Sequence, residues 1–104
     1  MLEHAREAAA LVQGKTREEL DDDRVRTLAL VRLLEIIGEA AWRVPDQIRS
    51  ASPAIPWGEI IGLRNRLIHG YDAVDLDILW QILQHDVPSL IAELERVVPP
   101  QSGP

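Results

Sequence analysis

Apolar residues recur every three or four positions along most of the chain, the spacing of helices that each bury one face. Leu2, Ala5, Ala9 and Val12 predict a first helix over about residues 2–13, closed by Gly14. Thr16-Arg17-Glu18-Glu19 carries a hydroxyl and, three residues on, an acid, the form of a capping box, so a short second helix is expected there. A long helix follows over about residues 24–44, with Leu30, Leu33, Leu34, Ile37, Ala41 and Val44 as its stripe and Pro45 as its stop. Within it, Gly38, Ala40 and Ala41 are small enough to admit another helix at close range. One further turn is expected at Asp46 to Ser52, then a loop punctuated by Pro53 and Pro56. Trp57 starts a helix next to a proline, buried through Ile60, Ile61, Leu63, Leu67 and Ile68 and ended by Gly70, which places His69 in its last turn. Asp75 is placed to cap a last helix over about residues 76–97. Its seam is Leu76, Trp80, Leu83, Val87, Leu90, Leu94 and Val97, with a kink expected at Pro88.

No strand-like alternation and no internal repeat is visible. The expectation is therefore an all-α, antiparallel bundle of four to five helices, forming one domain over residues 1–98. Residues 99–104 (Pro99-Pro100-Gln101-Ser102-Gly103-Pro104) have no apolar pattern and are expected to be a disordered tail.

Composition sharpens this picture. Three Trp, one Tyr and no Phe leave an aliphatic core to be built from a hydrophobic fraction of 46%. The absence of Cys excludes disulfides and thiolate metal sites. Neither a signal peptide nor a bilayer-spanning apolar run is visible, so a cytoplasmic protein without membrane attachment is expected. A net charge of −6 argues against a protein that coats nucleic acid nonspecifically, but leaves room for a local basic pocket. The run Asp21-Asp22-Asp23 reads as a cap and dipole partner for the long helix, with a metal site as the alternative. Glu35 and Glu39 lie one turn apart; Glu39 can pair with Arg43, and the two acids read as a solvated or interfacial face or as orienting groups for active-site bases. His4 and His85 stand alone and are expected at the surface.

Only Leu63 to Asp72 concentrates groups suited to chemistry: Arg64, Asn65, Arg66, His69 and Tyr71. A guanidinium offers phosphate oxygens a planar fork of donors and stays charged at any working pH. An imidazole exchanges protons near neutrality. Together they suit phosphodiester cleavage, with His69 moving protons at a ribose 2′-OH or at the leaving oxygen and Arg64 holding the phosphate, without a metal or other cofactor. The 2′-OH as nucleophile restricts the substrate to RNA. On a regular helix the five-residue step separates Arg64 and His69 by about 7.5 Å of rise and about 140° of rotation. Asn65 and Arg66 lie nearer the histidine's face. A working pair thus needs Arg64 to wrap around, the helix to open near Gly70, or a second copy of the chain to contribute. Arginine and histidine in a last turn also serve simply as dipole partners.

Arg64-Asn65-Arg66-Leu67-Ile68-His69-Gly70-Tyr71 resembles the R-x4-H-x-Y motif of the HepT-like group of HEPN-domain proteins. Leu34 to Ala41, Ile55-Pro56-Trp57, and Val74-Asp75 with Trp80 look like the same group and occur in its order. The resemblance implies a homodimeric, helical, metal-independent RNase that is the toxin of a toxin–antitoxin pair. It implies Arg64 and His69 as the catalytic pair, Asn65 and Arg66 as supporting residues, and an MntA-like nucleotidyltransferase as antitoxin. That enzyme would transfer AMP to Tyr71, setting a bulky anion beside the phosphate pocket. Two other readings stay open: a noncatalytic nucleotide-binding or adaptor subunit of a nucleotidyltransferase complex, and a dimeric scaffold whose Arg–His stretch serves only the interface.

Overall fold

The computed structural model of the protein describes residues 1–69 and 73–97, with residues 68, 69 and 73 described by backbone alone. Helix α1 (Leu2–Val12) turns at Gly14, which takes φ 74°, a left-handed conformation that costs glycine nothing. The long helix α2 (Arg24–Arg43) follows, then α3 (Asp46–Ala51), α4 (Trp57–Ile61) and α5 (Leu63–Leu67). Two short strands, β1 (Ile68–His69) and β2 (Ala73–Val74), precede α6 (Leu76–Gln81) and α7 (Val87–Val97). The all-α class holds, since the strands pair over only two positions, Ile68 with Val74 and His69 with Ala73. The central helix α2 packs on α1 along one side and on α4 and α5 along the other. Contacts of α1 with α7 and of α5 with α6 close the bundle. Its core is aliphatic, with Leu30, Leu34, Ile37, Leu67, Leu79, Ile82 and Val87 among the buried side chains.

Several local signals act as expected. Asp23 caps α2, its carboxylate accepting from Arg26 N at 3.0 Å. The Asp75 carboxylate accepts from Asp77 N at 3.0 Å and Ile78 N at 3.1 Å at the start of α6. Gly38 is the close-approach point: a Cβ there would lie 3.0 Å from Ile60 O, so α4 packs against α2 through bare backbone. The indole Nε1 of Trp57 donates to Arg49 O and Ser52 O, both at 3.1 Å, and ties α4 to the end of α3.

Four expectations are corrected. The capping box at Thr16 does not form; residues Glu18–Leu20 make a single 3-10 turn without a side-chain cap. Glu19 instead turns toward Lys15, 3.7 Å away. The helix begun at Trp57 is interrupted at Gly62 and ends at Leu67, before Gly70. His69 consequently lies on β1 and not in a last helical turn, because the chain goes extended to pair with β2, with Asp75 N donating to Leu67 O at 2.9 Å. The last helix contains a π-turn at Ile82–Asp86. Proline at position 88 lacks a donor and its ring crowds the carbonyl four residues back, and a widened turn just upstream accommodates both. The extra residue shifts the helical phase. Leu79 and Ile82 are buried where Leu76 and Trp80 were expected, while Leu83, Val87, Leu90 and Leu94 keep the seam, and Val97 is exposed. Finally, His4 is half-buried, with Nδ1 enclosed and without a hydrogen-bond partner among the described residues; His85 is exposed as expected.

Candidate active site

Leu63 and Leu67 anchor α5 in the core. Between them Arg64 and Asn65 face solvent, with the Arg64 side chain 64% exposed. This follows from helical geometry: with positions 63 and 67 buried four apart, the intervening residues project outward. Arg64 Nε lies 3.4 Å from Glu35 Oε2 on α2. The ion pair uses the inner nitrogen of the guanidinium and leaves the fork of terminal nitrogens available to a ligand. Arg66 points elsewhere. Its Nη1 donates to Asp86 Oδ2 at 2.8 Å, joining α5 to the last residue of the π-turn.

A groove of about 270 Å³ runs between α2 and the α4–α5 segment. Arg32, Glu35, Glu39 and Trp42 form its α2 wall, Gly38 lies in its floor, and Arg64 stands on the opposite side. Two arginines balance two glutamates, so the groove has no net charge of its own. Among the described residues, no group of three or more His, Asp or Glu gathers as a metal site would require. The triple-aspartate run is taken up locally: Asp23 caps α2 and pairs with Arg26 at 2.7 Å, while Asp21 pairs with Arg17 at 3.0 Å. Arg17 also reaches Asp77 at 2.7 Å. Hydrogen bonds to Asp21 first, and then to Asp77, raise its pKa. Raising a cation's pKa means the contribution is complete below the ordinary arginine value and fades only above it, so it adds no pH dependence near neutrality.

Of the candidate residues, the structure sets Arg64 and Asn65 at the surface and engages Arg66 in an ion pair. His69 is placed by its backbone only, and Tyr71 lies outside the described residues. The backbone already alters the expected relation. Helical rotation does not carry from residue 64 to residue 69, because the helix stops at Leu67. The shared face of Asn65 and His69, expected four apart on one helix, is absent for the same reason. Sequence reasoning paired neither Glu35 with Arg64 nor Asp86 with Arg66. Glu35 stands out in the sequence for its one-turn spacing from Glu39, whereas Asp86 carries no local signal, since its partner is 20 residues away.

A family model described as "Ribonuclease HepT-like" matches residues 1–97. The chain is 38% identical over 100 residues to a protein of Thermococcus cleftensis named probable ribonuclease HepT, covering 92% of this chain and 91% of that one. It is 37% identical over 97 residues to a provisionally named RNase of Methanocaldococcus jannaschii, with 93% and 89% coverage. A provisionally named RNase of Caldanaerobacter subterraneus subsp. tengcongensis is 38% identical over 87 residues, with 84% and 78% coverage. No solved structure matches the chain.

Proposed function

Because the chain belongs to the HepT-like ribonuclease family, we propose that it is an endoribonuclease that works through Arg64 and His69. The terminal nitrogens of Arg64 hold a phosphodiester and offset the charge that grows on it. The imidazole of His69 takes the proton of the adjacent ribose 2′-OH, whose oxygen attacks phosphorus. The P–O bond to the next nucleotide breaks, the leaving oxygen gains a proton, and a 2′,3′-cyclic phosphate remains. The observation that carries this reading is the placement of Arg64, exposed beside a groove and gripped only through Nε. The early end of α5 supports it further, since the extended chain at Ile68–His69 frees the pair from the rotation a helix would impose.

The biological setting of this reading is a toxin–antitoxin pair. The chain acts as a homodimer, and an MntA-like nucleotidyltransferase silences it by moving AMP from ATP onto Tyr71. Two residues from His69, the added phosphate would compete for Arg64. One experiment addresses both levels. Purified protein is incubated with RNA in EDTA beside Arg64→Ala and His69→Ala, and the intact mass is taken after coexpression with the transferase. Each substitution should slow cleavage by at least about a hundredfold, and the mass should rise by whole AMP units except in Tyr71→Phe. Equal cleavage by all three proteins would remove the nuclease assignment. AMP transfer without any cleavage would favour the noncatalytic adaptor instead.

A further inference from the structure

The chain has three tryptophans, and two of them serve the fold. Trp57 and Trp80 both pack against the core, and the indole of Trp57 also ties α4 to the end of α3. Trp42 stands apart from that cluster, near the end of α2, and is 66% exposed. The residue beside it, Ala41, is fully buried, so the core is met there without the indole. A lone apolar residue on a surface is ordinary. This one is distinguished by its place, because it lines the same groove as Arg64.

Arg32, Glu35, Glu39 and Trp42 follow one another by three and four residues and form an outer stripe on α2. Glu35 reaches across the groove to Arg64, and Trp42 lies about 10 Å farther along the helix axis. Gly38, in the floor between them, adds no side chain. One end of the groove thus offers a guanidinium with free terminal nitrogens, and the other a flat apolar ring. Glu35 and Glu39 stand between, and their charge repels a second phosphate. The Trp42 end therefore suits an uncharged, planar group. A single-stranded ribonucleotide has both matching parts, an anion and a base whose faces are open. In a duplex those faces are covered by neighbouring pairs.

We propose that Trp42 is a substrate-binding residue, stacking an unpaired base next to the phosphate held by Arg64, so that the substrate is single-stranded RNA. The inference rests on the phosphate-holding role of Arg64. Every base has a π-face, so the contact selects strand state more than sequence. Purines stack over more area than pyrimidines and bind more tightly. The stacked base is in place both before and during bond breaking, so the contact lowers KM and leaves kcat largely alone.

The test uses a 2′-O-methyl RNA oligomer, which has no free 2′-OH and cannot be cleaved by this route. Titrated into wild type, the single strand should quench tryptophan emission, and the same strand annealed to its complement should quench little. Trp42→Phe should lose the quenching yet keep its Kd within about threefold, because a flat ring remains. Trp42→Leu, apolar but without a π-face, should raise Kd at least about fivefold. With unmodified RNA, Trp42→Leu should raise KM by a similar factor at nearly constant kcat. Equal affinity of Trp42→Leu and Trp42→Phe, or equal quenching by duplex and single strand, would overturn the proposal. So would altered sedimentation of Trp42→Leu, which would place the indole between copies of the chain. Trp42-dependent quenching by a protein that cleaves no RNA would leave the stacking contact standing without the nuclease. Cleavage indifferent to Trp42→Leu would do the reverse.

Discussion

Arg64 and Arg66 stand two residues apart on the same short helix and do different work. Arg64 is held at the surface through one nitrogen, and Arg66 is spent on an ion pair with Asp86. This divides the supporting group expected around the histidine. Asn65 remains exposed and available to a ligand, while Arg66 acts as a strut between α5 and the π-turn. The strut's side chains are 40% and 33% exposed, so water screens the pair and its worth is modest. A double-mutant cycle with Arg66→Ala and Asp86→Ala, read by urea unfolding, should give a coupling below about 1 kcal/mol. Arg66→Ala should also slow RNA cleavage far less than Arg64→Ala. A loss equal to that of Arg64→Ala would place Arg66 on the phosphate.

Among elements, α2 sets the geometry of all others. Its two sides receive α1 and the α4–α5 segment, and its outer stripe walls the groove. The approach at Gly38 decides how far Arg64 stands from Glu35, because α4 rests there on backbone oxygen. Gly38→Ala would press a methyl to 3.0 Å from Ile60 O, where no flexible side chain can yield. We expect a loss of about 1–3 kcal/mol on chemical denaturation, and weaker cleavage than stability alone explains, since α5 must shift with α4. Gly58→Ala, where nothing lies within 4 Å of the added carbon, is the control; its stability should change by less than about 1 kcal/mol. Indifference to Gly38→Ala would show that the two helices are less tightly apposed than described. The π-turn belongs to this scale as well. It re-phases the last helix so that Leu79 and Ile82 enter the core, and it ends at the residue that anchors Arg66.

For the whole molecule, charge and packing pull apart. A net charge of −6 gives RNA no general attraction, so binding must depend on the few cations near the groove. The expected signature is shallow salt dependence. If one or two phosphates are contacted, log KM for single-stranded RNA should rise with log salt at a slope of about 0.7–1.4. A slope several times steeper would reveal a broad cationic surface and count against a local pocket. No described helix is long and apolar enough to cross a membrane.

What the sequence settled by itself was mostly local. Helical stripes, the caps at Asp23 and Asp75, the stop at Gly14 and the close approach at Gly38 depend on residues within a turn or two, or on the absence of one side chain. The motif from Arg64 to Tyr71 was legible in the same way, as residue types at fixed spacing. Tertiary structure alone decided which acid meets which arginine, where α5 gives way to strand, and how the last helix is phased. Glu35 with Arg64 and Asp86 with Arg66 join segments distant in the chain, and no periodicity encodes such a pairing. The helix before His69 ends because β1 finds hydrogen-bond partners in β2. That choice depends on what folds back against a segment, and the segment's own residues do not carry it.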